Sequence, residues 1–433
     1  MATVIESDLN RYEVVKVLNP DGQVLNVAFA SGSPSTTPPA VSNDAFGRLR
    51  VSNPFTLFDS SHRYQDNGDW ASSASGGTYL FDANEGCIDM AVNTNNASEV
   101  IRETYKVFSY QPGKSMLIMN TFVFEAGKAN LRQRVGYFND DNGLYVELNG
   151  TELNFVRRSS VSGSVVNTVV NQSNWNVDPL DGTGPSGITI DPATAQIFWM
   201  DIEWLGVGNV RMGFIYNGQF VHCHTFQHSN IVTSPYITTA CLPLRYEIVN
   251  TGATASSSTL KQICSTILSE GGYRLIGRAN SIATALTTPI LMATAGTYYP
   301  LISIRLRSAT PDAIVIPTRF SILGASNTVN YNWRVVLGGA TTGGTWTAAP
   351  NGSPVECNIT PTGFSGGTII KTGFVSGSTQ GNAPVDLSRD DIFKYQLERN
   401  GLAGTVTELS LVAAADSNSS EALAAINWDE VAY

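Results

Sequence analysis

Apolar and polar residues alternate along much of the chain between Ala45 and about Asn250. In the run IFWMDIEWL, Phe198, Met200, Ile202 and Trp204 fall on one side of an extended backbone, and Asp201 and Glu203 fall on the other. A period of two is that of a strand half buried against a second sheet. Two hairpins punctuate the pattern. LYVELNGTELNFV sets Asn149–Gly150 between alternating runs, and VRMGFIYNGQFVHCHTF does the same with Asn217–Gly218. Asn-Gly tolerates positive φ at both central positions, which predicts type I′ turns.

The stretch SSSTLKQICSTILSEGG fits two readings. As a helix capped near Ser258, it gathers Leu260, Ile263, Cys264, Ile267 and Leu268. As a strand, it sets Leu260, Cys264 and Leu268 on one face. The β-branched Thr259, Thr266 and Ile267 favour the strand. Beyond about Tyr298 alternation resumes in PLISIRLRS, VNYNWRVVLGG and TVTELSLVAA, with dense glycine turns between. The closing SSEALAAINWDEVAY reads as a short helix or a last strand. The expected organisation is all-β. Residues 1–44 form an extended N-terminal arm with one strand at Val24–Ala30. Residues 45–285 form a main antiparallel β-sandwich including a linker, and 286–433 a second, smaller β-sandwich.

Composition narrows the function classes. Charged residues make up 14% of the 433 positions, against ~25% in an ordinary soluble domain. The net charge is −10 and Lys and Arg form no run, so no nucleic-acid partner is expected. No apolar stretch reaches the length of a membrane span. The opening MATVIESDLNRY lacks a basic-then-apolar signal pattern, so synthesis in a cytosol is expected. The five cysteines are scattered without a CxxC, which fits free, buried thiols rather than a disulfide framework.

Three stretches offer chemistry. VHCHTFQHSN holds three of the four histidines. On a regular strand His222 and His224 share a face, Cys223 takes the other, and His228 lies past the end. Two imidazoles at i and i+2 suit zinc, but the stretch matches no established ligand spacing. These histidines are therefore weak metal candidates, packing is the favoured reading, and no metal or cofactor is expected. In MDIEW, Asp201 and Glu203 share one face at roughly 6–7 Å, a separation compatible with paired-carboxylate glycoside hydrolysis. No GxSxG is present. Tyr145, Trp175 and Trp199 are candidate platforms for a glycan. Phe46, Arg48 and Arg50, in NDAFGRLRVSN, are candidate assembly residues where the arm enters the folded body.

AFGRLRVSNPFTLFDSSHRY, LRQRVGYFNDDNGLYVEL, FWMDIEWLGVGNVRMGFIYNGQFVHCHTF and YITTACLPLRYEI resemble large structural proteins of tailed-phage virions, of marine and cyanobacterial type. The resemblance spans roughly residues 45–270. It implies a jelly-roll or lectin-like sandwich and carries no catalytic motif. The expectation it supports is a non-enzymatic component of a virion, made in the host cytoplasm. Such a component would assemble or stabilise a head, neck or tail appendage, with copies of itself and other virion proteins as partners. The alternatives are a glycan-binding attachment protein that contacts host-surface polysaccharide and, below it, a glycoside hydrolase.

Overall fold

Four large antiparallel sheets carry most strands of the computed structural model, which describes residues 12–18, 24–30, 54–274, 276–377, 383–386 and 395–432. The chain divides into two units, Met1–Arg50 and Val51–Tyr433. In the first, Tyr12–Leu18 pairs with Val24–Ala30, with Tyr12 opposite Ala30 and Leu18 opposite Val24. The strand expected at Val24–Ala30 thus has a partner strand within the same segment. Phe46, Arg48 and Arg50 lie outside the described residues.

In the second unit, the first sandwich joins a seven-stranded and an eight-stranded sheet. The seven-stranded sheet runs Val166–Asn171, Glu152–Ser159, Gly143–Asn149, Leu131–Phe138, Leu244–Asn250, Glu99–Thr104, Trp70–Ser75. The eight-stranded sheet runs Gln219–Phe226, Val210–Tyr216, Ala195–Ile202, Ser115–Val123, Ser258–Glu270, Cys87–Val92, Gly77–Asp82, with Phe55–Ser61 also paired to Ser258–Glu270. Their facing side chains, among them Phe198, Met200, Ile118, Phe122, Val135 and Tyr246, are fully buried in one cluster. Each such side chain stabilises the fold by about 1.5–3 kcal/mol relative to exposure.

Local chemistry sets the turns. Asn217 and Gly218 have φ of 49° and 75°, the two positive values that a type I′ turn needs. At the other hairpin Asn149 pairs with Glu152. The turn is therefore Gly150–Thr151, one residue later than expected, with positive φ only at Gly150. That is the type II′ pattern, glycine first.

Ser258–Glu270 is a thirteen-residue strand, as the β-branched residues indicate. It pairs with Ser115–Val123 along one edge and with Cys87–Val92 and Phe55–Ser61 along the other. The register shifts between Gln262 and Cys264. That bulge splits the expected face: Leu260 and Ile267 enter the core, while Cys264 is exposed.

The second sandwich joins a five-stranded and a six-stranded sheet over its own core, which includes Leu301, Ile304, Tyr331, Leu411 and Trp428. Its longest strand is the closing segment Ser420–Ala432, paired with Ile314–Gly324 on one side and with Arg278–Ala283 and Ile290–Met292 on the other. Arg278–Ala283 therefore belongs to the second sandwich, and the division falls before Arg278 rather than at 285. Residues 396–399 return to the first sandwich. Gln396 Nε2 donates to Val107 O at 2.8 Å, the Arg399 amide donates to Tyr105 O at 3.1 Å, and Lys106 pairs with Glu398 at 3.6 Å. Among the described residues no helix is long and apolar enough to cross a membrane.

Candidate functional site

The outer face of the seven-stranded sheet concentrates charge in a chain that has little. Arginine and glutamate alternate with apolar residues on its central strands, so they leave the core and stand side by side. Arg134 Nε meets Glu147 Oε2 at 2.7 Å, and its Nη1 meets Glu247 Oε1 at 3.1 Å. Arg245 meets Glu247 at 3.2 Å, Glu103 at 3.5 Å and Asp140 at 2.7 Å. Arg158 lies over the rings of Phe138 and Tyr145 at 5.7 and 5.3 Å. Arg134, Glu147, Arg158, Arg245 and Glu247 are all buried. Buried charges persist only where each has a partner, and this ladder supplies them.

The ladder ends where the sandwiches meet. Arg399 bonds Glu103 through Nη1 and Asp312 Oδ1 through Nε, the latter at 2.8 Å. Arg399 sits in the Arg399–Asn400 strand, paired with Thr405–Val406. Here opens a cleft of about 240 Å³ whose lining includes Glu103, Asp140, Asp312, Arg399, Asn400 and Thr405. Gly401 also lines it, and a Cβ there would collide with both Arg399 Nη1 and Glu103 Oε1. A side chain at this position would have to push the ends of the ion pair aside. Burial pushes the Glu103 carboxyl up from its ordinary range, against the downward pull of Arg399 and Arg245. Asp140, by contrast, is 84% exposed and held by Arg245. The cleft presents carboxylate, amide, hydroxyl and guanidinium groups in fixed positions and no aromatic wall.

The residues singled out in the sequence lie elsewhere, inside packing. Tyr145 and Trp199 are wholly buried and Trp175 is 5% exposed. Trp175 stacks on Phe155 at 4.1 Å and 9°. Trp199 Nε1 donates to Phe214 O at 3.2 Å, and Gly213 beside it leaves room for the indole. None of the three offers a ring to a sugar, which corrects their assignment as glycan platforms. The alternation that sets Trp199 opposite the core face is real, but neighbouring side chains close over it. Trp199→Phe is accordingly expected to lower the thermal midpoint while leaving any saccharide affinity unchanged, as calorimetry of both would read.

Asp201 is buried too, bonded to Ser115 and Arg211. Glu203 is 6% exposed. This pair is enclosed and Asp201 is ion-paired with Arg211, so neither carboxylate faces solvent there.

A bulge decides the histidines. The register skips Cys223, so His222 stands opposite Gly213 and His224 opposite Met212. His222 therefore shares the face of Trp199, at 6.0 Å, whereas His224 turns to the core side against Phe226, at 4.6 Å. The Asn176 amide donates to His224 Nδ1 at 3.2 Å. His228 stacks on Tyr236 at 3.9 Å and donates through Nδ1 to Gly208 O at 2.6 Å. The expected shared face of His222 and His224 is thus corrected: one inserted residue rotates the strand. Among the described residues no group of three or more His, Cys, Asp or Glu is placed to hold a metal ion, and the cysteines are free.

Sequence reasoning passed over Glu103, Asp140, Asp312 and Arg399. The available signal, for Glu103 alone, was the charged face of LRQRVGYF and LRYEIVN continued by Glu99 and Glu103 of EVIRET; Asp140, Asp312 and Arg399 lie outside these strands.

The molecule belongs to the class of all-β proteins built from two antiparallel sandwiches, of jelly-roll or lectin-like architecture. No protein-family model matches the chain, and no curated protein does. Among solved structures it is similar to a β-glucanase of Bacillus licheniformis, with 11% identity over 50% of this chain and 98% of that one and a TM-score of 0.32. It is also similar to arcelin-5, a lectin-like defence protein of Phaseolus vulgaris, with 9% identity over 52% and 100% and a TM-score of 0.32. A third is the carbohydrate recognition domain of Emp47p, with 9% identity over 50% and 97% and a TM-score of 0.31. The likeness is one of sandwich fold. It corrects the expectation of a non-enzymatic virion component. The similar structures are glucanases and lectin-like or carbohydrate-recognition proteins.

Proposed function

We propose that the chain is a carbohydrate-recognising β-sandwich protein whose ligand lies in the cleft between the sandwiches. The observation that carries this reading is the Glu103–Arg399–Asp312 arrangement beside Asp140. Sugar hydroxyls donate and accept at once, and they are selected by planar polar groups held in fixed positions. Here Arg399 is locked by carboxylates on two sides and Asp140 is oriented by Arg245. At about 240 Å³ the cleft suits one or two sugar units, since whole ligand pockets run to ~300–1,000 Å³.

The test is calorimetric titration of the full chain with neutral gluco-oligosaccharides, alongside Asp312→Asn and Asn400→Ala. Saturable binding weakened at least about tenfold in both variants is expected, a loss of ~1.4 kcal/mol. Wild-type protein that binds no member of a broad glycan array would overturn the proposal. A second reading, hydrolysis, is favoured by the raised carboxyl of Glu103 in the same cleft. It requires new reducing ends released by the wild type and not by Glu103→Gln.

A further inference from the structure

We infer that the outer face of the six-stranded sheet holds a second saccharide site, separate from the cleft, and that it takes a sugar bearing a carboxylate. Two arginines stand on this face, each over an aromatic ring. Arg305 lies 3.9 Å from the ring centroid of Trp346, and Arg334 lies 3.8 Å from that of Tyr298. Both point away from the core because their strand neighbours Ile304, Leu306, Trp333 and Val335 fill it. The Arg305 arrangement is complete: its guanidinium meets Glu356 at 2.6 Å and Glu408 at 3.3 Å. Arg334 has the ring but, among the described residues, no carboxylate partner. A ring on one side steadies the guanidinium and leaves its N–H fork for a bidentate acceptor. A ligand carboxylate would complete Arg334 as Glu356 completes Arg305.

The surroundings of Arg334 select a sugar as the carrier. Asn332 stands on the same face. Its Oδ1 accepts from Tyr298 Oη, and its Nδ2 donates to Thr372 Oγ1 at 3.3 Å and to Gly373 O at 3.0 Å. Across the pairing of Asn330–Leu337 with Thr368–Ser376, Thr372 lies opposite Arg334 and Phe374 opposite Asn332. Phe374 is 78% exposed. An exposed ring beside a fixed row of hydroxyl, amide and guanidinium groups matches a pyranose, which has an apolar C–H face and a rim of hydroxyls.

This site shares no residue with the cleft and differs from it in charge. The cleft is lined by Glu103, Asp140, Asp141 and Asp312, and its Arg399 is already bound by two carboxylates. An acidic sugar is therefore repelled there and attracted to Arg334.

Calorimetric titration of the full chain with a tetrasaccharide of alternating glucuronic acid and glucose tests this. Saturable binding is expected in the wild type, weakened by salt at about 0.5 M. Arg334→Gln and Phe374→Ala, each checked for native circular dichroism, should each weaken it at least about tenfold. Asp312→Asn in the cleft should leave it unchanged, and sodium acetate at the same concentration should not compete. A wild type that does not bind the acidic tetrasaccharide overturns the inference, as does binding that both variants leave intact. Acetate that competes as well as the sugar would make this a site for a bare carboxylate and overturn the saccharide assignment. Loss in Asp312→Asn alone would move the ligand to the cleft, which overturns this site and leaves the cleft reading standing. Failure of the cleft reading shows separately, with neutral gluco-oligosaccharides, which do not need Arg334.

Discussion

Acidification from pH 7 to about pH 5 is expected to remove several kcal/mol of stability, because His62, His224 and His228 are buried in their neutral forms and His222 is half-buried. Burial first, with Arg102 adding to it, lowers His62 to about 4. Burial lowers His224 to about 4, with a smaller contribution from His222. It lowers His228 to about 4 against its bond to Gly208, with Arg157 adding a little. His222 falls to about 4 through burial and then Arg211, opposed by Asp201. The folded values lie below the ordinary 6.5, so the unfolded chain takes up the protons. The stability is present above about pH 6.5 and is lost as the pH falls toward 4. Each shift is worth about 2 kcal/mol between pH 6.5 and about 5. His62, His224 and His228 are 1, 6 and 0% exposed, so their sum of about 6 kcal/mol is an upper figure; half-buried His222 adds less because solvent screens it. That is a large part of a typical 5–15 kcal/mol.

Glu103 and Glu398 work the other way, since burial raises both and the folded state gains protons first. Urea unfolding at a series of pH values separates the two effects. His228→Gln should flatten the slope by close to one proton, and an unchanged slope would dismiss the histidine account.

Arg245→Ala is expected to cost about 3–5 kcal/mol, the range for stripping one partner from a buried ion pair. The variant leaves Glu103 and Glu247, 2 and 3% exposed, without their shared guanidinium. Arg245 and Arg134 hold Glu247 below its ordinary value of 4.5 even though burial pushes it upward. With Arg245 gone, that carboxyl should protonate more readily and the variant should recover part of its loss in acid. Arg245→Met combined with Glu247→Leu should restore stability toward wild type, because paired apolar replacements avoid the stranded charge. Lys261→Ala, at a pair whose members are 28 and 51% exposed, should cost no more than ~1 kcal/mol. Equal losses in Arg245→Ala and Lys261→Ala, read by chemical denaturation, would show that the ladder does not stabilise the sheet. Arg245→Ala should also weaken saccharide binding by releasing Asp140, so the two measurements connect the sheet face to the cleft.

The sequence by itself determined the strands. Alternation placed Phe198, Met200 and Ile202 on a core face, the positive-φ requirement located the Asn217–Gly218 turn, and β-branched residues decided Ser258–Glu270. Those signals are local: each depends on the geometry of an extended backbone and a few neighbours. Tertiary structure decided what the local pattern leaves free. Whether Trp199 meets solvent depends on strands paired beside it. Whether His222 and His224 share a face depends on one bulge at Cys223, which alternation cannot register. The cleft is the extreme case, since Arg399 and Glu103 meet across 296 positions of sequence. Antiparallel sheets bring distant segments together through backbone bonds that are alike for every side chain. The residues that converge at a sheet end are therefore fixed by strand order and register, which only the folded chain supplies.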